Sequence, residues 1–148
     1  MFKTIIWATD GSDHADRALP YAKGLAQEDG ATLVVLHIVQ RIASGRSMGL
    51  TLNADEDELK AKVKNVATGL ADEGLNVSLK IVTELGSHPA HDIADVAVDV
   101  GADLIVAGTR GHTAIGGLLL GSVAQRLLGV APCPVLVVPA VKAAGGKP

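Results

Sequence analysis

A glycine-rich segment, GTRGHTAIGGLLLGS, runs from Gly108 to Ser122 and follows the apolar run ADLIVA. Its five glycines lose more backbone entropy on ordering than other residues would, so their presence needs a reason. Ser122 is predicted to begin a helix, whose free backbone N–H groups and dipole would attract an anion. Glycines also let the main chain approach phosphate oxygens without interference from a Cβ atom. The segment is a candidate phosphate-binding loop, although tight turns and an N-cap serine would also account for it.

A second candidate is ATDGS, from Ala8 to Ser12, which ends the first predicted strand. In open α/β sheets, ligands bind outside the carboxyl ends of strands at a topological switch point. Asp10 could accept a hydrogen bond from a ribose hydroxyl or hold Mg²⁺ through water, or it could simply form an Asx-turn. The glycine segment is not a P-loop, because no Gly-Lys-Ser/Thr ends it. It also follows a later strand, whereas the dinucleotide fingerprint follows the first.

Other residues that could carry chemistry are isolated in the sequence. His88 and His91 are three positions apart without a third ligand, so a zinc site is not expected. Cys133 is the single cysteine, which excludes an intrachain disulfide and a cysteine-based zinc cluster. No neighbouring histidine or aspartate pattern would activate its thiol, so a structural role is predicted. His14 and His37 have no partner that the sequence suggests.

The elements that would position the two candidate segments alternate between strand and helix. Five apolar segments read as strands: Lys3–Ser12, Ala31–Val39, Asn76–Glu84, Ala102–Gly108 and Cys133–Ala140. Four segments read as helices: Ala15–Gly30, Ala54–Gly74, Ser87–Gly101 and Ser122–Gly129. This alternation predicts one parallel sheet with helices on both faces and right-handed crossovers. Pro20 predicts a kink or a later helix start, and residues 40–53 are predicted to be an irregular connection.

Composition narrows the class of protein. The 148 residues suggest one domain, and 48% hydrophobic but only 2% aromatic residues predict an aliphatic core, as in buried parallel sheets. The net charge of −3, without a dense basic patch, argues against nucleic-acid binding. No apolar run is long enough for a membrane helix and no signal peptide is visible, so a cytoplasmic protein is expected.

Four segments together resemble the universal stress protein family, in its ATP-binding branch: ATDGS, LHIV, GADLIVAGTRG and LLLGSVAQRLLGVAPCPVLVV. Gly108, Gly111, Gly121 and Ser122 fill the pattern of G-x-x-G, nine residues, then G-S. The resemblance implies an open, Rossmann-like parallel sheet of five strands in the order 3-2-1-4-5, an ATP site beside the glycine loop, and homodimers. The nucleotide-binding domain would span residues 1–140, and the polar residues 141–148 would form a flexible tail.

The resemblance also implies which residues contact ATP. Gly111 would approach the phosphates, with Arg110 near them unless it is an ordinary solvated arginine. Phosphate hydrogen bonds would come from Gly121, Ser122 and Val123. The base and ribose would be contacted by residues from three strand ends: Ala8, Thr9, Asp10, Ile38, Ala107 and Gly108. The phosphates would hold Mg²⁺, with Asp10 contributing at most through water.

The resemblance implies an ATP-binding regulatory protein of the stress response, and we expect at most slow ATP hydrolysis or self-phosphorylation. One alternative is a cAMP-binding protein on the same fold. Another is an ATP-using enzyme with an unknown second substrate, although neither an SGG-x-DS pyrophosphatase loop nor a HIGH motif is present. The apolar segment Pro134–Val138 would be an edge strand, and pairing with a second copy would cover it.

Overall fold

Five parallel strands form the sheet of the described chain. The structure, a computed structural model, describes residues 1–40, 46–84, 88–109 and 120–139, with the backbone alone at 40, 46–55 and 84. The strands are β1 (Thr4–Thr9), β2 (Thr32–Gln40), β3 (Asn76–Glu84), β4 (Leu104–Gly108) and β5 (Val135–Val138). The helices are α1 (Asp13–Asp16), α2 (Leu19–Asp29), α3 (Arg46–Asp72), α4 (Pro89–Val100) and α5 (Ser122–Val130).

The strand order is β3-β2-β1-β4-β5, with every pairing parallel. The chain moves outward from β1 to β3 and then returns to the other side of β1 for β4 and β5. The gap between the carboxyl ends of β1 and β4 is therefore the topological switch point, where crossovers leave in opposite directions. The fold expected from the family resemblance is confirmed.

Alternate side chains along the strands enter two separate aliphatic cores, one on each face of the sheet. Ile5, Trp7 and Val106 pack with α2 and α3, whereas Ile6 and Ile105 pack with α4 and α5. Helices therefore cover both faces, as the alternation of elements predicted. The single tryptophan is an exception to the aliphatic composition, and it is only 1% exposed.

Glycine and proline mark the helix ends as the sequence indicates. Gly30 and Gly101 end α2 and α4 in the left-handed conformation, which places their N–H groups on carbonyls of the last turn. Pro89 lies in the first turn of α4. Pro20 lies in the first turn of α2, after the short α1, so the later helix start is the alternative that the structure adopts.

The prediction of an irregular connection through Asn53 is wrong, because α3 already begins at Arg46. Residues 46–53 contain no proline, and their arginine, methionine and two leucines favour helices. Extending an existing helix adds one hydrogen bond per residue fixed, so these residues join the helix that the periodic part of the segment forms. The weak hydrophobic periodicity of residues 46–53 did not indicate a helix, because hydrophobic periodicity reflects which side chains are buried rather than whether the backbone is helical.

Two carboxylates fix the start of β1, at the end of the sheet away from the switch point. Asp103 accepts hydrogen bonds from the backbone N–H groups of Lys3 at 2.6 Å and Thr4 at 2.9 Å. Asp29 accepts one from Phe2 at 2.6 Å. The backbone donors of Lys3 and Phe2 are the largest causes that lower the pKa of Asp103 and Asp29, respectively, because they stabilise the ionised carboxylates.

The flexible tail predicted for residues 141–148 lies outside the described residues. Among the described residues, none of the helices combines the length and the apolar character that a membrane crossing requires.

Candidate functional site

A cleft opens at the switch point, above the carboxyl ends of β1 and β4. It holds about 660 Å³ of empty space, a figure that includes its open mouth and the adjoining solvent. Its walls come from the strand ends, from α1 and from the first turns of α4 and α5. Eight residues of the predicted site line it: Ala8, Thr9, Asp10, Ile38, Ala107, Gly108, Gly121 and Val123.

The floor of the cleft is apolar and made of small side chains. Ala8 and Ala107 are register partners on the adjacent strands β1 and β4. Both are buried in the core beneath α4 and α5, together with Ile38 at the end of β2. Because the two central side chains are single methyl groups, the floor leaves room for a flat group to lie against the sheet.

The loop after β1 brings polar groups to the edge of this floor. Asp10 Oδ1 accepts a hydrogen bond from the Ser12 N–H at 2.9 Å, which is the Asx-turn considered for this residue. Thr9 Oγ1 accepts one from the Gly11 N–H at 2.9 Å. Both side chains thus hold the turn, while the exposed Asp10 still contributes to the wall of the cleft.

The beginning of α5 also lines the cleft. Gly121 is the N-cap residue and supplies no side-chain cap to the first-turn N–H groups. An N-cap serine is therefore not the explanation for Ser122, which is the first helical residue and is exposed beside the lining residues Gly121 and Val123. The first turn contains no acidic residue. These features suit an anion, because the first turn places no carboxylate of its own against the dipole and the donors.

At Gly108, the backbone of α1 packs too closely for a side chain to fit. A Cβ atom there would lie 2.7 Å from the backbone oxygen of His14. The glycine therefore allows α1 to approach the end of β4 closely. Residues 110–119 of the glycine segment, including the predicted contacts Arg110 and Gly111, lie outside the described residues, and those two contacts stay predictions.

The cleft also contains residues that the sequence analysis did not select. They come from α1, from α4 and from positions next to predicted ones: Ser12, His14, Ala15, Pro89, Ile93, Thr109 and Ala124. Pro89 and Ile93 are spaced i, i+4, so they share one face of α4. That spacing was visible in the sequence, but only the topology shows that this face meets the switch point.

His37 has two partners that the sequence did not suggest. Its ring is 1% exposed, and Nδ1 lies 3.0 Å from the carbonyl oxygen of Thr9 while Nε2 lies 2.6 Å from Glu56 Oε2. A carbonyl oxygen only accepts, so Nδ1 carries a proton and donates it. The second contact then needs another proton, carried by His37 or by Glu56. The pair links α3 to the strand end that lines the cleft.

The remaining titratable candidates lie elsewhere. His88 is the N-cap of α4, and its Nδ1 accepts a hydrogen bond from the Ala90 N–H at 3.1 Å. Within the described residues, no group of three or more His, Cys, Asp or Glu side chains is arranged to hold a metal ion. Cys133 is half-buried, and its burial, followed by the nearby charge of Asp103, raises the pKa of its thiol.

Comparison with known proteins agrees with this architecture. The sequence model of the universal stress protein family matches residues 1–139. A Thermus aquaticus protein, named as a universal stress protein in the QAH/OAS sulfhydrylase 3′ region, is 42% identical over 138 residues, which cover 93% of this chain and 99% of that protein.

Solved structures share the fold. The universal stress protein UspA from Lactobacillus plantarum gives a TM-score of 0.73 at 26% identity, covering 92% of this chain and 97% of that one. A universal stress protein in complex with cAMP gives a TM-score of 0.64 at 26% identity, covering 95% of this chain and 98% of that one. Sequence and fold agree over nearly the whole length, and the chain belongs to the universal stress protein family.

Proposed function

We propose that this protein binds an adenosine nucleotide in the cleft, that the nucleotide is ATP with Mg²⁺, and that binding serves a regulatory role. One observation carries the proposal: a small-residue apolar floor and the N-terminus of a helix whose N-cap, Gly121, supplies no side-chain cap line one cleft at the switch point. The adenine ring would lie on Ala8 and Ala107 beside Ile38. The phosphates would extend toward Gly121, Ser122 and Val123, where backbone N–H groups donate.

Asp10 fits the middle of such a ligand. Its carboxylate is exposed at the edge of the apolar floor, so it would accept from a ribose hydroxyl or hold a water on Mg²⁺. Direct contact with the triphosphate would be repulsive. The phosphates would therefore provide the inner ligands of Mg²⁺, and the metal would neutralise charge next to this carboxylate.

A cyclic nucleotide is the second candidate, because a relative of this fold was solved with cAMP. The same floor would hold its adenine. The long glycine segment between β4 and α5 favours a polyphosphate, since a cyclic monophosphate would leave much of that segment without a ligand. ATP is accordingly the first choice, and cAMP is tested beside it.

The cleft is better suited to binding than to rapid catalysis. Among the described lining residues, Asp10 and His14 are the titratable side chains. In the sequence, no residue pair stands out by its spacing as the general base and nucleophile that efficient turnover of a second substrate requires. Slow hydrolysis remains compatible, because bound Mg-ATP needs little beyond positioning.

The outer side of β5 is the proposed contact with a second copy of the chain. β5 is the last strand in the sheet order and pairs with β4 on its inner side. Val135, Leu136 and Val137 are only half-buried there. Pairing of Pro134–Val138 across a two-fold axis would cover this apolar edge, which otherwise favours aggregation.

The proposal is tested by thermal unfolding with Mg²⁺ and ATP, ADP, AMP or cAMP, followed by calorimetric titration. A ligand at a hundred times its dissociation constant adds about 2.7 kcal/mol of stability, so ATP should raise Tm most. Asp10→Asn keeps an acceptor for the Ser12 N–H but removes the charge, and should weaken ATP binding at least about tenfold. Asp99→Asn, an exposed position on α4, is the control for net charge and should bind ATP normally.

Two results would contradict the proposal. The first is no Tm shift with any nucleotide in a sample from which acid extraction releases none. The second is an equal effect of the Asp10 and Asp99 variants. A shift with cAMP alone would replace ATP by the cyclic nucleotide.

A further inference from the structure

One wall of the cleft belongs to a single short segment, residues 9–16. Five of its residues line the cleft: Thr9, Asp10, Ser12, His14 and Ala15. Any interaction that fixes this segment therefore fixes the shape of the cleft, even if it never touches a ligand.

A face of α3 packs against this segment from outside the cleft. Glu56, Leu59 and Lys62 are spaced i, i+3, i+6 and so lie along one side of the helix. Glu56 reaches the segment through His37 and the Thr9 carbonyl. A Cβ atom at Gly11 would lie 2.7 Å from Leu59 Cδ2, so this glycine lets Leu59 pack directly on the turn.

Lys62 makes two direct hydrogen bonds to the segment. Its Nζ donates to the Gly11 carbonyl oxygen at 2.7 Å and to Asp16 Oδ2 at 2.9 Å. A further carboxylate oxygen, on Asp13, lies at 3.9 Å. One ammonium group thus joins the turn after β1 to α1. Its hydrogen bond to Asp16 is charged on both sides, and such bonds are shorter and stronger than neutral ones.

The backbone conformation of Gly11 is one that contacts from neighbouring residues must stabilise. Its φ is +85°, in the left-handed region that glycine adopts without steric cost. Because glycine can leave that region as readily as it enters, the residue by itself does not fix the turn. Leu59 on one side and Lys62 on its carbonyl restrict it.

We infer that Lys62 is a positioning residue for the cleft: by holding Gly11 and Asp16 it keeps the 9–16 wall in the form that binds the ligand. Lys62 does not line the cleft. Loss of its ammonium group would lower the fraction of molecules with the wall in place, and apparent affinity falls in proportion to that fraction. The identity of the ligand in this inference rests on the proposed function.

Three variants of α3 test the inference. Lys62→Met keeps most of the aliphatic stem but removes the donor, and it should weaken Mg-ATP binding about tenfold in calorimetric titration, a typical size for coupling through a neighbouring element. Lys62→Arg keeps charge and donors and should recover most of the affinity. Lys64→Met changes the same charge at an exposed position on the same helix and should bind Mg-ATP normally.

A second readout needs no nucleotide. The indole Nε1–H of Trp7, the single tryptophan, donates to the Ala15 carbonyl oxygen at 3.0 Å. Its NMR resonance therefore reports the position of α1 directly. In the ligand-free protein this resonance should move in Lys62→Met, return toward its original position in Lys62→Arg and stay in place in Lys64→Met.

The two readouts separate failure of the inference from failure of the proposed function. If the unmodified protein binds no nucleotide, the proposed function fails and the Trp7 resonance alone decides the role of Lys62. An unmoved resonance in Lys62→Met would overturn the inference, as would unchanged Mg-ATP affinity in that variant. Equal loss of affinity in Lys64→Met would also overturn it, because the effect would then be one of net charge.

Discussion

Substitution of Gly108 by alanine tests the close approach of α1 to β4. The new Cβ atom would lie 2.7 Å from the His14 carbonyl oxygen, whereas ordinary contacts fall at 3.4–4 Å. That oxygen belongs to the backbone and cannot rotate away, so α1 or the end of β4 must move by roughly 0.7 Å. Overpacking of this kind costs about 1–3 kcal/mol. We expect Gly108→Ala to lower Tm by roughly 3–9 °C in a chain of this size.

Gly69 provides the matched control. It is exposed in α3, and an added Cβ there would meet nothing within 4 Å. Glycine within a helix costs about 0.5–1 kcal/mol relative to alanine, so Gly69→Ala should raise Tm by about 2–3 °C. Thermal and urea unfolding of both variants would show opposite signs. A Gly108→Ala protein as stable as the parent would refute the argument that a packing contact requires this glycine.

Three further predictions concern the side chains of Glu56, Asp103 and Cys133. Glu56→Leu leaves the buried His37 Nε2 without its partner and should cost about 1–3 kcal/mol in urea unfolding, whereas Glu56→Gln can still donate and should cost less. The pKa of Asp103 is lowered from 3.8 by backbone donors, so its contribution to stability is present above that value and lost as pH falls through the folded pKa. Asp103→Asn should flatten this acid dependence of the urea midpoint, and an unchanged slope would contradict it. Burial raises the pKa of the Cys133 thiol, so it should react with a disulfide reagent at pH 8 more slowly than free cysteine does; equal rates would contradict this.

The fold was predictable because its signals are local. Apolar runs of strand length, the glycines at 30 and 101 and the prolines at 20 and 89 each have a physical meaning at the position where they occur. Their order then restricts the topology, since parallel strands need helical crossovers. The early start of α3 could not be predicted, because residues 46–53 combine strong and weak helix formers and have no clear amphipathic period.

The candidate site was predictable where it coincides with strand ends and with the beginning of α5. Asp10 could be selected because the carboxyl ends of parallel strands meet at one edge, whereas Ala8 and Ala107 were implied by the family resemblance. The contacts from α3 that support the site could not be predicted from the sequence. Lys62 meets the Gly11 carbonyl across 51 positions, and Glu56 meets His37 across 19. No spacing rule relates such pairs, because the distance between them depends on how α3 packs on the sheet.

Two glycines at the cleft show that a glycine in a ligand-binding pattern can be required for more than one physical reason. Gly11 and Gly108 belong to the two segments that were selected for ligand binding, and at each an added Cβ would lie 2.7 Å from another part of the protein. Leu59 on α3 is the obstacle at Gly11, and the α1 backbone is the obstacle at Gly108. Both glycines therefore let helices pack on the ends of strands, which brings the walls of the cleft together. The missing Cβ atom of a glycine in such a pattern can therefore allow a neighbouring helix to approach and form a wall of the site, as well as allowing the ligand itself to approach.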